Sequence, residues 1–143
     1  MEQKISRITL GVADPDSAAA FYRLLGWGET GDVIEGAKFF QLGSIVLVLV
    51  PQPALSREQG RPDFRPGSGG GLMLSLDVKT REDVTKTWNA FIEAGGTSLR
   101  EPFEAEGGDG EFSAVVADLD GYTWEITWSP GLKVDATGNL VLG

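Results

Sequence analysis

Hydrophobic and polar residues alternate along several short segments of the chain, with the two-residue period of a β-strand. In KISRITLGVA, residues 4–13, the residues Ile8, Leu10 and Val12 fall on one face. Similar patterns predict strands at about 27–34, 37–42, 45–51, 72–78, 97–103, 111–118 and 122–128. The segment 45–50 is apolar throughout, which is typical of a strand buried on both faces.

Two other segments have the apolar spacing of an amphipathic helix. The first starts at Asp14-Pro15-Asp16-Ser17, a helix-start signal, and ends at Gly26. The second starts at Thr80, with Asp83 three residues later as in a capping box, and ends at Gly95-Gly96. The predicted buried stripes are Ala18, Phe21, Leu24 and Leu25 in the first helix, and Val84, Trp88, Phe91 and Ile92 in the second.

The order of these elements is strand, helix and three strands, followed by the same order again, which indicates an internal duplication. It predicts an α+β fold in which two tandem βαβββ modules form a curved mixed β-sheet with helices on its outer face. Within a single domain, module one covers about 4–51, a proline- and glycine-rich linker 52–70, module two 71–130 and a tail 131–143. Gly138-Asn139 predicts a small terminal hairpin in the tail.

Composition excludes several kinds of chemistry. The 143 residues include no cysteine and no histidine, so disulfides, thiolate nucleophiles and a Ser-His-Asp triad are impossible. A metal site would have only oxygen ligands, which favour magnesium, calcium or manganese.

The net charge of −9, from 12 basic and 21 acidic residues, argues against nucleic acid and anionic membranes as partners. It suits a cationic or neutral small ligand. Without an apolar stretch of 18 residues or a signal peptide, the sequence predicts a soluble, cytoplasmic protein.

A carboxylate stands in the middle of the last predicted strand, in DLDGYTWEITWSPG at 118–131. Alternation places Glu125 on one face with Thr123 and Thr127, and Tyr122, Trp124, Ile126 and Trp128 on the other. The polar face fits either open solvent or a cavity, and exposed glutamates are common.

Four segments of the chain resemble the vicinal oxygen chelate superfamily of glyoxalases, bleomycin-resistance proteins and dioxygenases. They are GVADPDSAAAFYRLLGW, the apolar strand ending in Pro51, the strand-helix run through AFIEAGG, and ADLDGYTWEITWSPG. The resemblance implies a concave pocket enclosed by the sheet, and association as a homodimer.

The resemblance also implies four inward-facing metal-ligand positions in the family's enzymes. Here those positions fall on Arg7, on Leu47 by matching Gly43 to Gly121, on Gly71 or Leu72, and on Glu125. Arginine and leucine offer a cation no acceptor atom. We therefore expect no metal cofactor, with a weakly held magnesium or manganese ion as the alternative, and Arg7 as a possible partner of Glu125.

These observations leave two hypotheses for function. In the first, the pocket binds a small molecule, with a cationic or aromatic ligand as the candidate, without catalysis. In the second, the chain is a lyase- or isomerase-type enzyme that uses Glu125 as a general base. The predicted ligand-binding residues are Arg7, Thr9, Phe39, Gln41, Leu47, Met73, Ser75, Thr123, Glu125 and Thr127.

Overall fold

The computed structural model describes residues 1–31, 34, 36–64, 71–106 and 110–142. These residues form three helices: α1 Pro15–Leu24, α2 Gln52–Glu58 and α3 Arg81–Glu93. The strands in the same residues are β1 Arg7–Val12, β2 Glu29–Thr30, β3 Lys38–Leu42, β4 Ile45–Pro51, β5 Met73–Asp77, β6 Thr97–Glu104, β7 Phe112–Ala117, β8 Thr123–Trp128, β9 Lys133–Val134 and β10 Leu140–Val141.

The chain divides into two compact units, Met1–Gly67 and Ser68–Gly143. Each unit contains a four-stranded mixed sheet, in the order β1-β4-β3-β2 in the first and β5-β8-β7-β6 in the second. The first and last strands of each module, β1 with β4 and β5 with β8, pair in parallel, and the other pairs are antiparallel. The predicted α+β fold with two repeated modules is confirmed.

Helix α1 begins as the sequence predicts and packs its apolar face on β3 and β4. The Asp14 carboxylate accepts hydrogen bonds from the Ser17 hydroxyl and the Asp16 amide, which lower its pKa. The fully buried side chains are Ala18, Ala19, Phe21 and Tyr22. The inclusion of Leu24 in the stripe was wrong: its side chain is 70% exposed, because the stripe continues through Tyr22 and leaves position 24 on the solvent side.

Helix α3 covers one face of the second sheet, against β6, β7 and β8. Thr80 caps it by accepting the Asp83 amide at 3.2 Å. Of the predicted stripe, Val84 and Phe91 are fully buried, whereas Trp88 and Ile92 are half-buried. The Trp88 indole donates a hydrogen bond to the Ser98 hydroxyl at 3.0 Å, so its polar edge is satisfied where the helix meets the sheet.

The segment predicted as a linker begins with helix α2, which directly follows β4. Pro53 is compatible with a helix here because it lies in the first turn, where its missing N–H has no intrahelical partner to lose. Ser56 is fully buried and donates to the Phe64 carbonyl at 3.1 Å. A Cβ at Gly11 would meet the end of the Gln52 side chain, so the glycine leaves room for that side chain against β1. The rest of the predicted linker, residues 65–70, and Glu35 of a predicted turn lie outside the described residues.

The hairpins that lead into β4 and β8 differ in length. Leu42 pairs with Ile45, which leaves only Gly43-Ser44 in the loop before β4. Ala117 pairs with Thr123, so residues 118–122 form the corresponding loop before β8. Asp118 is buried there and accepts hydrogen bonds from two backbone amides of its own turn.

The predicted terminal hairpin is confirmed, with β9 and β10 pairing antiparallel. Its loop is organised by Asp135, whose carboxylate accepts the Asn139 amide and the Thr137 hydroxyl. These hydrogen bonds lower the pKa of Asp135 to about 2. Within the described chain, no helix is long and apolar enough to span a membrane.

Candidate ligand-binding site

The second sheet has one covered and one open face, and the strand register assigns side chains to each. Trp124 and Ile126 lie on the face that α3 covers and are 2% and 0% exposed. On the other face, β5 and β8 pair in register as Met73 with Thr123, Ser75 with Glu125 and Asp77 with Thr127. The structure therefore brings together all five residues that the sequence analysis proposed in module two: Met73, Ser75, Thr123, Glu125 and Thr127. Their role in ligand binding stays a prediction.

A cleft of about 350 Å³ lies on this open face. It is lined by Arg100, Phe103, Ala105, Glu106, Glu111, Ser113 and Glu125. Beside it, the hydroxyls of Ser113 and Thr127 share a buried hydrogen bond of 2.7 Å. Of these described lining residues, Glu125 is the one that the sequence analysis proposed.

Strand β6 brings Arg100 and Phe103 to the same face because its pairing with β7 is irregular. In a regular strand, residues three positions apart point to opposite faces. Here Arg100 pairs with Val115 and Phe103 with Ser113, so one extra residue of β6 is accommodated between the two pairs. Pro102 lies in this irregular stretch, where a missing amide hydrogen is tolerated.

The charges in the cleft are unbalanced, with three carboxylates and one guanidinium among the described lining residues. The guanidinium carbon of Arg100 lies 3.5 Å from the centre of the Phe103 ring, a cation–π contact. Among the described residues, Arg100 forms no ion pair with any of the three glutamates. The cleft thus has negative charge that the described side chains leave uncompensated.

Glu125 is positioned by its neighbour on β5. The Ser75 hydroxyl donates a hydrogen bond to Oε1 of Glu125 at 3.1 Å. In the part of the chain that the structure describes, the second carboxylate oxygen, Oε2, has no hydrogen-bond partner. One oxygen is therefore anchored while the other is available to a ligand.

Asp77 lies on the same open face, at the end of β5. Partial burial raises the pKa of this carboxyl group, and the negative charge of Glu111 raises it further. Both effects disfavour the charged form of Asp77, so this end of the sheet is an unfavourable place for a further negative charge.

Replacing Asp77 with asparagine is expected to raise the melting temperature at neutral pH. A carboxyl group whose pKa is higher in the folded than in the unfolded state makes ionisation cost stability. The cost is absent in acid, where both states are protonated, and grows as the pH rises through the carboxyl range. Thermal melts across that pH range test this, with exposed Asp63→Asn as the control. A rise in melting temperature that is confined to acidic pH, or that equals the rise for Asp63→Asn, would contradict the raised pKa of Asp77.

In module one, the predicted residues divide between the two faces of the sheet. Arg7 pairs with Val46, Thr9 and Phe39 both pair with Val48, and Gln41 pairs with Val46. The predicted residues Arg7, Thr9, Phe39 and Gln41 therefore share one face. Gln41 is tied to its own hairpin, because its amide nitrogen donates to the Gly43 carbonyl at 2.6 Å.

Leu47 lies on the opposite face from those four residues. It pairs with Ile8 and Phe40, and its side chain is 1% exposed. The match of Gly43 to Gly121 selected Leu47, but the shorter loop before β4 shifts the register between the modules. A shift of one residue moves a side chain to the other face of a sheet, so on the face of the first sheet that carries Arg7 of β1, strand β4 presents Val46 and Val48.

Arg7 and Glu125 belong to different units of the chain. The proposed pairing of these two residues stays a prediction.

Most of the cleft residues were not recognised in the sequence: Arg100, Phe103, Ala105, Glu106, Glu111 and Ser113. The segment 101–111 reads as an acidic loop between strands, and its residues 107–109 lie outside the described structure. The available signal was Pro102, since a proline inside a strand pattern marks an edge strand or a bulge.

Comparison with known proteins identifies the family. The chain belongs to the Glyoxalase/Bleomycin resistance protein/Dioxygenase superfamily, whose family model matches residues 4–126. Comparison with curated proteins finds no match.

Solved structures of the family have the same fold. A glyoxalase-related enzyme from Fulvimarina pelagi has 27% identity and a TM-score of 0.87, with 99% of each chain covered. A glyoxalase/bleomycin resistance protein/dioxygenase family enzyme from Burkholderia phytofirmans has 22% identity, a TM-score of 0.76 and coverage of 86% of this chain and 96% of that one. A lactoylglutathione lyase from Agrobacterium tumefaciens has 22% identity, a TM-score of 0.66 and coverage of 90% and 96%.

The metal enzymes that this family includes raise the question of whether the donors here fit an ion. Residues 1–31, 34, 36–64, 71–106 and 110–142 contain no group of three or more acidic side chains placed to hold one, and the sequence has no histidine or cysteine. Arg7 adds a positive charge at a position where the family resemblance implies a ligand. The described donor set does not fit a glyoxalase-type ion. That the protein needs no metal stays a prediction.

Proposed function

We propose that this protein binds a small, planar, cationic molecule in the cleft of the second sheet, with Glu125 as its anchor and without a catalytic metal. The observation that carries the proposal is the position of Glu125: Ser75 holds one of its oxygens, and the other is available on a face with excess negative charge.

The charge balance supports a cationic ligand. Glu106, Glu111 and Glu125 line the cleft with Arg100 as the one basic residue among its described walls, so a bound cation would relieve repulsion among carboxylates. A hydrogen bond between a carboxylate and a charged donor is about twice as strong as one between neutral groups. An amidinium or guanidinium group on the ligand would offer Glu125 two parallel donors.

The size and walls of the cleft support a small aromatic ligand. Pockets for small molecules have volumes of about 300–1,000 Å³, and the volume here is about 350 Å³. Phe103 supplies an aromatic face, and Ala105 a small apolar surface. A single-ring or two-ring cation matches this combination.

Substitution of Glu125 by glutamine is expected to weaken binding of benzamidine about tenfold or more. The change removes the negative charge and keeps the shape, and hydrogen bonds to charged groups contribute about 1.5–3 kcal/mol. An NMR titration that follows the amides of β5, β7 and β8 measures the dissociation constant. The neutral analogue benzamide is expected to bind more weakly and to be nearly insensitive to Glu125→Gln.

The matched control is Glu93→Gln, which makes the same charge change at an exposed position on α3. If benzamide binds as tightly as benzamidine, or if both glutamine variants bind alike, the proposed anchor is wrong. Elemental analysis of the purified protein, with no stoichiometric divalent ion expected, checks the metal-free part of the proposal.

The open oxygen of Glu125 also supports the second candidate function, a lyase or isomerase in which this carboxylate removes a proton next to a carbonyl. The same variant separates the two. If Glu125→Gln loses turnover but still binds the ligand, the enzyme is favoured. If Glu125→Gln loses binding and the unmodified protein shows no turnover, the binding function is favoured.

Assembly as a homodimer and a cytoplasmic location belong to the same proposal, and light scattering tests the assembly.

A further inference from the structure

We propose that Arg100 is a built-in competitor for the ligand: it occupies the aromatic face of Phe103, and a planar cation must displace it to bind there. This inference rests on the proposed function, because it concerns access to the same cleft. It identifies Arg100 as a residue that determines how tightly the cleft binds and which ligand shapes it accepts.

Arg100 is stacked on the ring of Phe103. The guanidinium carbon of Arg100 lies 3.5 Å above the centre of the Phe103 ring, the distance of direct stacking. Both residues line the cleft, and the irregular pairing of β6 is what brings them to the same face. The ring surface that a planar ligand would use is therefore covered by a planar cation from the protein itself.

Carboxylates in the cleft are alternative partners for the Arg100 guanidinium. Glu106, Glu111 and Glu125 line the same cleft, yet Arg100 forms no ion pair among the described residues. Arginine usually prefers a bidentate carboxylate contact where one is available. Stacking on Phe103 leaves the carboxylates available to a ligand and covers one face of the ring.

The contact between Arg100 and Phe103 is weak enough for a ligand to replace it. Arg100 is exposed, and cation–π contacts at exposed sites contribute little compared with buried ones. Displacing the guanidinium is therefore a small cost that a ligand with its own stacking surface can offset. A ligand without a planar group would leave Arg100 in place and incur no such cost, so the competition reduces the advantage that planar ligands have in this cleft.

Replacing Arg100 with alanine is expected to strengthen binding of benzamidine about two- to fivefold, the ratio that corresponds to an exposed cation–π contact. Binding of neutral benzamide is expected to improve as well, because the ring is uncovered for any planar molecule. The distant control Arg57→Ala, an exposed arginine on α2, removes the same charge and is expected to change neither constant.

A double-mutant cycle with Phe103→Leu separates competition from charge. Without the ring there is nothing to compete for, so Arg100→Ala is expected to give no gain for benzamide when it is combined with Phe103→Leu. Suppose that Arg100→Ala strengthens binding of benzamidine but not of benzamide, and does so equally in the Phe103→Leu protein. The whole effect would then come from removing a positive charge, and the inference would be overturned. An absence of any gain from Arg100→Ala in the protein that keeps Phe103 would also overturn it.

Side-chain NMR of Arg100 supplies a readout that needs no variant. Protons above an aromatic ring are shifted upfield, so the Arg100 side chain is expected to have upfield resonances that move back as benzamidine saturates the cleft. Resonances that stay upfield at saturation would contradict displacement.

These results are distinguishable from failure of the proposed function. If Glu125→Gln does not weaken benzamidine binding, the anchor in the proposed function is wrong. If Glu125→Gln weakens binding but Arg100 stays stacked on Phe103 at saturation, only the competition is wrong. Binding that appears only after Arg100→Ala would support the competition, and no binding by either protein would overturn both proposals.

Discussion

Introducing glutamate at position 47 is expected to destabilise the protein by more than about 4 kcal/mol, or to prevent folding. Leu47 is 1% exposed and lies between Ile8 and Phe40 in the first sheet. The substitution removes a buried leucine, a loss of about 2–5 kcal/mol when alanine replaces it, and adds a carboxylate with no described partner there, which is costly in an apolar environment. Denaturant unfolding monitored by circular dichroism measures the effect.

The neighbouring substitution Val46→Glu is the matched control. Val46 is half-buried and pairs with Arg7 across the parallel register, so a carboxylate there would face a guanidinium. We expect it to cost at least about 2 kcal/mol less than Leu47→Glu, since a half-exposed charge keeps much of its hydration. Equal losses for the two variants would mean that the assigned faces of β4 are incorrect.

Truncation of Phe91 to alanine should reduce the free energy of unfolding by about 3–5 kcal/mol. Phe91 is fully buried on α3, and its ring centre lies 6.2 Å from that of Trp124 on β8. The cost has two parts, the lost transfer of the ring out of water and the cavity that remains between helix and sheet. A midpoint that falls while the denaturant slope stays constant would identify a simple loss of stability.

Thr85→Ala on the exposed side of α3 is the comparison for Phe91→Ala. Alanine has a higher helix propensity than threonine, so this variant is expected to stay within about 0.5 kcal/mol of the original protein. If Phe91→Ala cost less than about 1 kcal/mol, α3 would contribute far less to the core of the second unit than its burial indicates.

Those features of the fold that depend on local sequence were predictable. The N-caps at Asp14 and Thr80 formed as expected, since a short polar side chain satisfies the first amides of a helix wherever the rest of the chain lies. The terminal hairpin formed at Gly138 for a similar reason, because its turn is organised within a few residues. Alternation correctly divided the side chains of β8 between two faces.

Features that depend on pairing with a distant strand were not predictable from a single sequence. Leu47 was matched to Glu125 through glycines, but the two hairpin loops differ in length and Leu47 lies on a buried face. Arg100 and Phe103 share a face only because β6 slips against β7, which no periodicity within β6 reveals. Helix α2 was missed because its seven residues are too few to show an apolar period.

The irregular path of β6 also bears on how the protein behaves at high concentration. β6 is the last strand in the order of its sheet, and a regular outer strand presents free backbone groups that can pair with a second molecule. Two register shifts and Pro102 interrupt that row of donors and acceptors. The distortion that shapes the cleft is therefore expected also to disfavour intermolecular β-pairing along this strand.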